Sequence, residues 1–140
     1  MWFYNGKEFT SEDIGEYIGF VYLITDQDNG KKYVGKKLLK SKRKLKPLKG
    51  KTRRRTKIVE SDWKTYYGSS EEVKQMVEEK GADNFHREIL HLCFKKGELG
   101  YLELREQMLR DVLLREDYYN GIVQAKIHRS HVKRLTFLIE

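Results

Sequence analysis

The sequence predicts an α/β (α+β) domain built on a small, mainly antiparallel three-stranded sheet flanked by helices. Two observations carry that expectation. The run Gly19-Phe20-Val21-Tyr22-Leu23-Ile24 is aromatic and β-branched, and the turn residues Asp28-Asn29-Gly30 separate it from a second short run, Tyr33-Val34-Gly35. This is the pattern of a β-hairpin. A third extended run, Phe85 to Phe94, lies between two segments with helical spacing.

In the hairpin, a four-residue loop at positions 26–29 would set Tyr22 opposite Tyr33. A tight Asn29-Gly30 turn would instead set Tyr22 opposite Lys37 and Tyr33 opposite Asp26. Side chains alternate along a strand, so both registers leave the two tyrosines on one face. Residues 38–58 contain the lone proline, Pro47, and show no sustained period, which predicts a basic loop insertion, much of it mobile. Ser69 or Ser70 caps a helix through Glu71, Glu72, Val73, Met76 and Val77; its early acids suit the N-terminal dipole and Gly81 ends it. A second helix follows Gly97 or Gly100 and runs to about Leu114, before Tyr118-Tyr119-Asn120-Gly121-Ile122-Val123 returns to turn and extended structure. The tail, residues 125–140, mixes basic and apolar residues and leaves strand and helix both open. Residues 1–140 are expected to form one domain.

Composition narrows the function. No apolar run approaches a membrane span and the N-terminus lacks the order of a signal peptide, so an intracellular, non-membrane protein is expected. The single cysteine, Cys93, excludes an internal disulfide and sits in an apolar run, which suits a core thiol. The net charge of +8 conceals an asymmetry: residues 31–57 hold 15 Lys or Arg and no acid, leaving 14 basic against 21 acidic residues elsewhere. A block of like charge is often merely solvated, but this one continues the second tyrosine strand, where it would hold a polyanion, nucleic acid above all, against the hairpin face.

One carboxylate is out of place. Read at helical spacing, Leu99, Leu102, Glu106, Leu109 and Leu113 form an apolar stripe interrupted by Glu106. On a buried row Glu106 requires a partner, either a salt bridge to Arg105, Arg110 or a hairpin lysine, or a cation. Glu103 lies on a different row with Gln107 and Arg110. His86 and His91, an odd number apart in a strand, are expected on opposite faces, and no His/Cys/Asp spacing suggests zinc.

These pieces, in this order, resemble the GIY-YIG nuclease superfamily. Phe20-Val21-Tyr22 stands for the first half-motif and Tyr33-Val34-Gly35 for the second, followed by Arg43, the helix glutamate Glu106 and the late asparagine Asn120. The small free-standing phage (homing-type) endonucleases are the most similar in size and in the segment Asp62-Trp63-Lys64 to Tyr67-Gly68-Ser69. Phe20 stands where the family usually has glycine, and Lys64, Tyr66 or Tyr67 takes the place of a usual histidine or second basic residue.

The resemblance implies a metal-dependent DNA endonuclease. Tyr22 would be the general base, with nearby positive charge needed to favour phenolate over its ordinary pKa of about 10. Tyr33 would position water or phosphate, Arg43 would grip the scissile phosphate, Glu106 would bind one Mg²⁺ or Mn²⁺, and Asn120 would hold the site's shape or a phosphate oxygen. Lys36, Lys37, Lys40, Lys42, Lys44, Lys51, Arg53, Arg54, Arg55 and Lys57 would contact double-stranded DNA, with Trp63 and Tyr67 available for stacking. Sequence specificity would require base contacts from loop or tail, or a homodimer. A phage-encoded enzyme would work in the cytoplasm of the infected bacterial host. The competing readings are a non-catalytic basic nucleic-acid-binding protein using Trp63, Tyr66 and Tyr67 as stacking platforms, or a structural subunit of a phage nucleoprotein assembly.

Overall fold

A computed structural model describes residues 1–140. The strands are β1 (Trp2–Tyr4), β2 (Lys7–Phe9), β3 (Gly19–Asp26), β4 (Lys32–Leu38), β5 (Lys40–Lys44), β6 (Thr56–Glu60) and β7 (Phe85–Cys93), and the helices are α1 (Glu71–Lys80) and α2 (Lys96–Leu109). Five strands form one mixed sheet in the order β2-β1-β7-β3-β4, and β5 pairs with β6 alone. The sheet is therefore larger than the three strands expected. The N-terminal residues Trp2–Tyr4 add a parallel strand to β7 and an antiparallel one to β2, pairings that three-residue runs do not announce.

β3 lies inside the sheet between β7 and β4 and is covered on both faces, which is why its sequence is continuously apolar rather than alternating. Phe20, Tyr22 and Ile24 pack with Trp2, Trp63, Phe85 and Ile89 on one face. Val21 and Leu23 pack with Val34, Leu99, Leu102, Val112 and Leu135 on the other, beneath α2. Ser70 caps α1 by accepting a hydrogen bond from the Val73 N–H, and Gly81 ends the helix at φ 88°.

Neither expected hairpin register is the one formed. Tyr22 lies opposite Gly35 and Ile24 opposite Tyr33, two residues from each alternative, because Asp26 remains in the strand and accepts the Gly30 N–H while its own N–H donates to Lys31. Two residues preserve parity, so the tyrosines still share a face. Their rings are 6.2 Å apart.

A register shift between β3 and β7 at Val21/Tyr22 sets Tyr22 opposite Ile89 but Val21 opposite His91. The inserted residue reverses the alternation beyond it. His86, opposite Thr25, and His91, opposite Val21, therefore share the α2 face, contrary to the simple count.

The 38–58 segment is an arm rather than a structureless loop. β5 leads directly out of β4 through the buried Leu39, pairs with β6, and returns at Ser61, whose N–H donates to the Leu39 carbonyl. The tail forms short 3-10 turns and straps α2: Leu135 is buried, and Arg134 donates to both Glu98 oxygens at 3.0 and 2.8 Å. No helix is long and apolar enough to cross a membrane.

Candidate active site

The two phenols meet at the exposed edge of the sheet. Tyr22 is 1% exposed, and its ring lies against the backbone of Gly35. A Cβ at Gly35 would collide with the Tyr22 hydroxyl, stand 2.6 Å from its Cζ, and come within 3.1 Å of Tyr33 Cε1. The glycine is what allows a core tyrosine to bring its hydroxyl under the edge strand. Tyr33 is half-buried and shares a 3.1 Å hydrogen bond with the Ser69 hydroxyl.

The segment 64–69 forms the wall over this pair. Buried Arg87 donates to the Lys64 carbonyl at 3.1 Å and to the Tyr66 carbonyl at 2.7 Å, while its guanidinium stacks 4.1 Å from the Tyr67 ring. Tyr66 so placed packs edge-on against Tyr22 at 5.9 Å. Lys37 lies 4.2 Å over the Tyr66 ring and pairs with Asp62 at 2.6 Å.

Burial pushes the Tyr22 pKa well above that of a free phenol, and Tyr66, Tyr33 and the Glu103 charge push the same way. Burial also raises Tyr33; the Ser69 hydrogen bond opposes it, and Tyr66 and Glu103 add to it. The expected preponderance of nearby positive charge is not what Tyr22 meets. Both phenols keep their protons at neutral pH.

The carboxylate that reaches the pair is Glu103. It lines a cleft of about 480 Å³ with Tyr33, Ser69, Ser70, Glu72 and Gln107. Burial raises its pKa, and Lys36 at 3.8 Å compensates incompletely. Glu106 lies three residues on and diverges across the sheet toward β7, where its oxygens accept hydrogen bonds from His91 at 2.8 Å and Arg110 at 3.1 Å. Burial alone would raise the Glu106 pKa, but these bonds outweigh it and lower it. The apolar stripe assigned to this helix does not exist beyond its middle. Leu99 and Leu102 are buried, whereas Leu109 and Leu113 are 68% and 52% exposed, because the chain leaves helical geometry after Leu109 and the buried face turns to Glu103 and Gln107.

Asn120 binds only backbone. Its side chain accepts from the Val34 N–H at 3.0 Å and donates to the Val34 carbonyl at 2.8 Å, and Gln107 donates to the same carbonyl at 3.2 Å. Together with the bonds between Lys32 and the 117–119 backbone, these contacts stand in for a further strand and hold the edge of β4. Arg43 is elsewhere, exposed on β5 opposite Lys57; it does not line the cleft. Trp63 is 1% exposed, with its indole N–H on Glu60 at 2.7 Å, so it is core and offers no stacking face. Tyr67 is half-buried on Arg87. Lys36 pairs with Glu103 at 3.8 Å, Lys37 with Asp62, Lys40 donates to the Gly15 carbonyl at 2.6 Å, and Lys42, Lys44, Lys51, Arg53, Arg54, Arg55 and Lys57 are exposed on the arm. Arg87 was not singled out in the sequence, Ser69 was read only as a helix cap, Tyr66 only as a stacking ring or a substitute for the usual histidine, and Glu103 was given no role. Glu103 did leave a signal, as one of two polar residues, with Gln107, spaced four apart on one helix row.

Paired phenols under a glycine beside the edge strand, with Glu103 and Glu72 in the adjoining cleft, define a polar site. The family model described as putative endonuclease segE, GIY-YIG domain, matches residues 2–123, and the chain belongs to that family. No curated relative and no solved structure matches it.

Proposed function

We propose that this protein is a metal-dependent DNA endonuclease that hydrolyses phosphodiester bonds in the cleft at the β4 edge. The observation that carries the reading is the meeting of Tyr22, Tyr33 and Glu103 beside a strand whose continuation is strongly basic. Family membership supplies the reaction class.

A divalent ion fits this donor set. Glu103 is largely buried, with a side chain 14% exposed, and its nearest cation is 3.8 Å away, so a hard cation would relieve a carboxylate that is poorly paired. No cluster of three or more His, Cys, Asp or Glu is present, so Glu103 would be the main protein ligand, with Glu72 on the same cleft and waters and phosphate completing the shell. Glu106 fits less well, because His91 and Arg110 already occupy its oxygens. When bound, Mg²⁺ or Mn²⁺ would supply Lewis-acid neutralisation of phosphate charge.

The chain's own groups do the rest. Tyr22, kept neutral by burial, orients an attacking water through its oxygen lone pairs, and the proton that water loses passes to a non-bridging phosphate oxygen or to solvent. Tyr33 and Ser69 offer hydroxyls to a phosphate oxygen. Lys36, half-exposed and only loosely paired, takes the phosphate-binding place that the sequence suggested for Arg43. Asn120 and Gln107 are positioning residues that keep β4, and thus Gly35 and Tyr33, in register.

Supercoiled plasmid incubated with Mg²⁺ or Mn²⁺ should be nicked or cut, and EDTA or Glu103→Gln should stop this while duplex binding persists. Binding without cleavage across metals and substrates would sink the enzyme in favour of a non-catalytic nucleic-acid-binding protein.

A further inference from the structure

The β5–β6 arm is electrostatically unsatisfied as it stands. From Lys40 to Lys57 it carries 11 Lys or Arg and no acid, and its register places Arg43 directly opposite Lys57. Like charges opposed across a two-stranded ribbon weaken it. Neither residue has a carboxylate partner. The arm is fixed at its base, where Leu39 is buried and Ser61 bonds back to it, and it hydrogen-bonds to no strand of the main sheet. Ile58, opposite Lys42, is 65% exposed midway along it.

A two-stranded antiparallel ribbon is the other element, besides a helix, that the major groove of B-form DNA admits. The arm also continues the strand that builds the cleft. Gly35 to Leu38 and Lys40 to Lys44 are extended on either side of a bend at Leu39, so Lys44 lies nearer to Gly35 than the ~30 Å that nine steps of a straight strand would span. That reach stays within one turn of B-form DNA, roughly 34 Å.

We propose that the β5–β6 arm lies in the major groove of duplex DNA within one helical turn of the phosphate held in the cleft, with Lys42 and Lys44 toward the groove and the Arg53–Arg55 tip on the flanking phosphates. The placement relative to the cut rests on the endonuclease reading; groove binding by the arm does not. The arm thereby gives a small domain a second contact on the same duplex, offset from its chemistry.

The test uses full-length Glu103→Gln protein, so that DNA stays intact, with and without Lys42→Ser, Lys44→Ser, Arg53→Ser, Arg54→Ser and Arg55→Ser combined. Fluorescence anisotropy on a duplex at several salt concentrations should show at least tenfold weaker binding for the arm variant, and a slope of log K against log salt shallower by about four. The melting temperature should be unchanged, since all five side chains are exposed. Methyl green, a major-groove ligand, should displace the protein, a minor-groove ligand should not, and A-form duplex RNA should bind more weakly because its major groove excludes side chains. Hydroxyl-radical footprinting should protect a second patch, separate from the wild-type cut and within about ten base pairs of it. Unchanged affinity, equal loss on single strands, competition by the minor-groove ligand alone, or one patch confined to the cut would overturn the arm's role. Groove binding with no cleavage by wild type would leave the arm standing and remove the nuclease reading.

Discussion

Two glutamates three residues apart on α2 should respond to mutation in opposite ways. Glu106→Ala removes two hydrogen bonds that involve charged or ionisable partners, from His91 at 2.8 Å and Arg110 at 3.1 Å, at a side chain 19% exposed. Bonds of this kind contribute about 1.5–3 kcal/mol each when buried. Partial solvation of Arg110 and His91 brings the pair to about 2 kcal/mol, a fall of roughly 6–8 °C in Tm for a domain of this size. Below that temperature the cleft is intact, so plasmid cleavage should stay within a few-fold of wild type. Glu103→Gln relieves a buried, poorly compensated carboxylate, so Tm should hold or rise slightly, while cleavage should fall about 10²–10³-fold as for other lost electrostatic groups. Melting by circular dichroism and initial nicking rates read the two effects separately. A folded Glu106→Ala protein without activity, beside a fully active Glu103→Gln, would refute this assignment and restore Glu106 as the site carboxylate.

Gly35→Ala forces the Tyr22 and Tyr33 rings apart, because the added methyl meets Tyr22 Cζ at 2.6 Å and Tyr33 Cε1 at 3.1 Å; a loss of about 1–3 kcal/mol and about 100-fold in cleavage, with DNA binding retained, should appear in denaturation and kinetic assays. Asp26 is fully buried, and although burial alone would raise its pKa, hydrogen bonds from Lys80, Asn84, Tyr119 and the Asp28 N–H bring it down to about 2. A carboxyl depressed in the folded state stabilises above its unfolded pKa and loses that contribution as pH falls toward 2, so about 2 kcal/mol should vanish between pH 5 and pH 2 in urea titrations, and much less in Asp26→Asn. Tyr22 has the opposite sign: a phenol raised in the folded state adds stability below pH about 10 that is lost as pH climbs further. Ultraviolet phenolate titration should show one slow-ionising tyrosine that disappears in Tyr22→Phe.

Local patterns were legible. The hairpin, its shared tyrosine face, the Ser70-capped helix ending at Gly81 and the strand from Phe85 each follow from neighbours in sequence. The missed pieces are those that depend on what lies across the fold. Three residues at Trp2 become a strand only because β7 has a free edge. Trp63 and the basic arm could not be sorted into core and surface from composition. His91 changed faces through a one-residue irregularity that leaves no mark in the alternation, and with it went the choice of glutamate.

By itself the sequence determined the class of site: two tyrosines on one strand face, a glycine beside them, a following block of positive charge and a late asparagine, because strand periodicity and charge are properties of the chain. Only the tertiary structure decided which of the two α2 glutamates, Glu103 or Glu106, lines the cleft beside Tyr33. Residues three apart on a helix point in directions that diverge, and the placement of α2 over the sheet sends Glu103 to the open edge at β4 and Glu106 to His91 on β7. It also decided that Arg43 belongs to the arm and Lys36 to the ion pair with Glu103, since the sharp break at Leu39 separates two stretches that are continuous in charge.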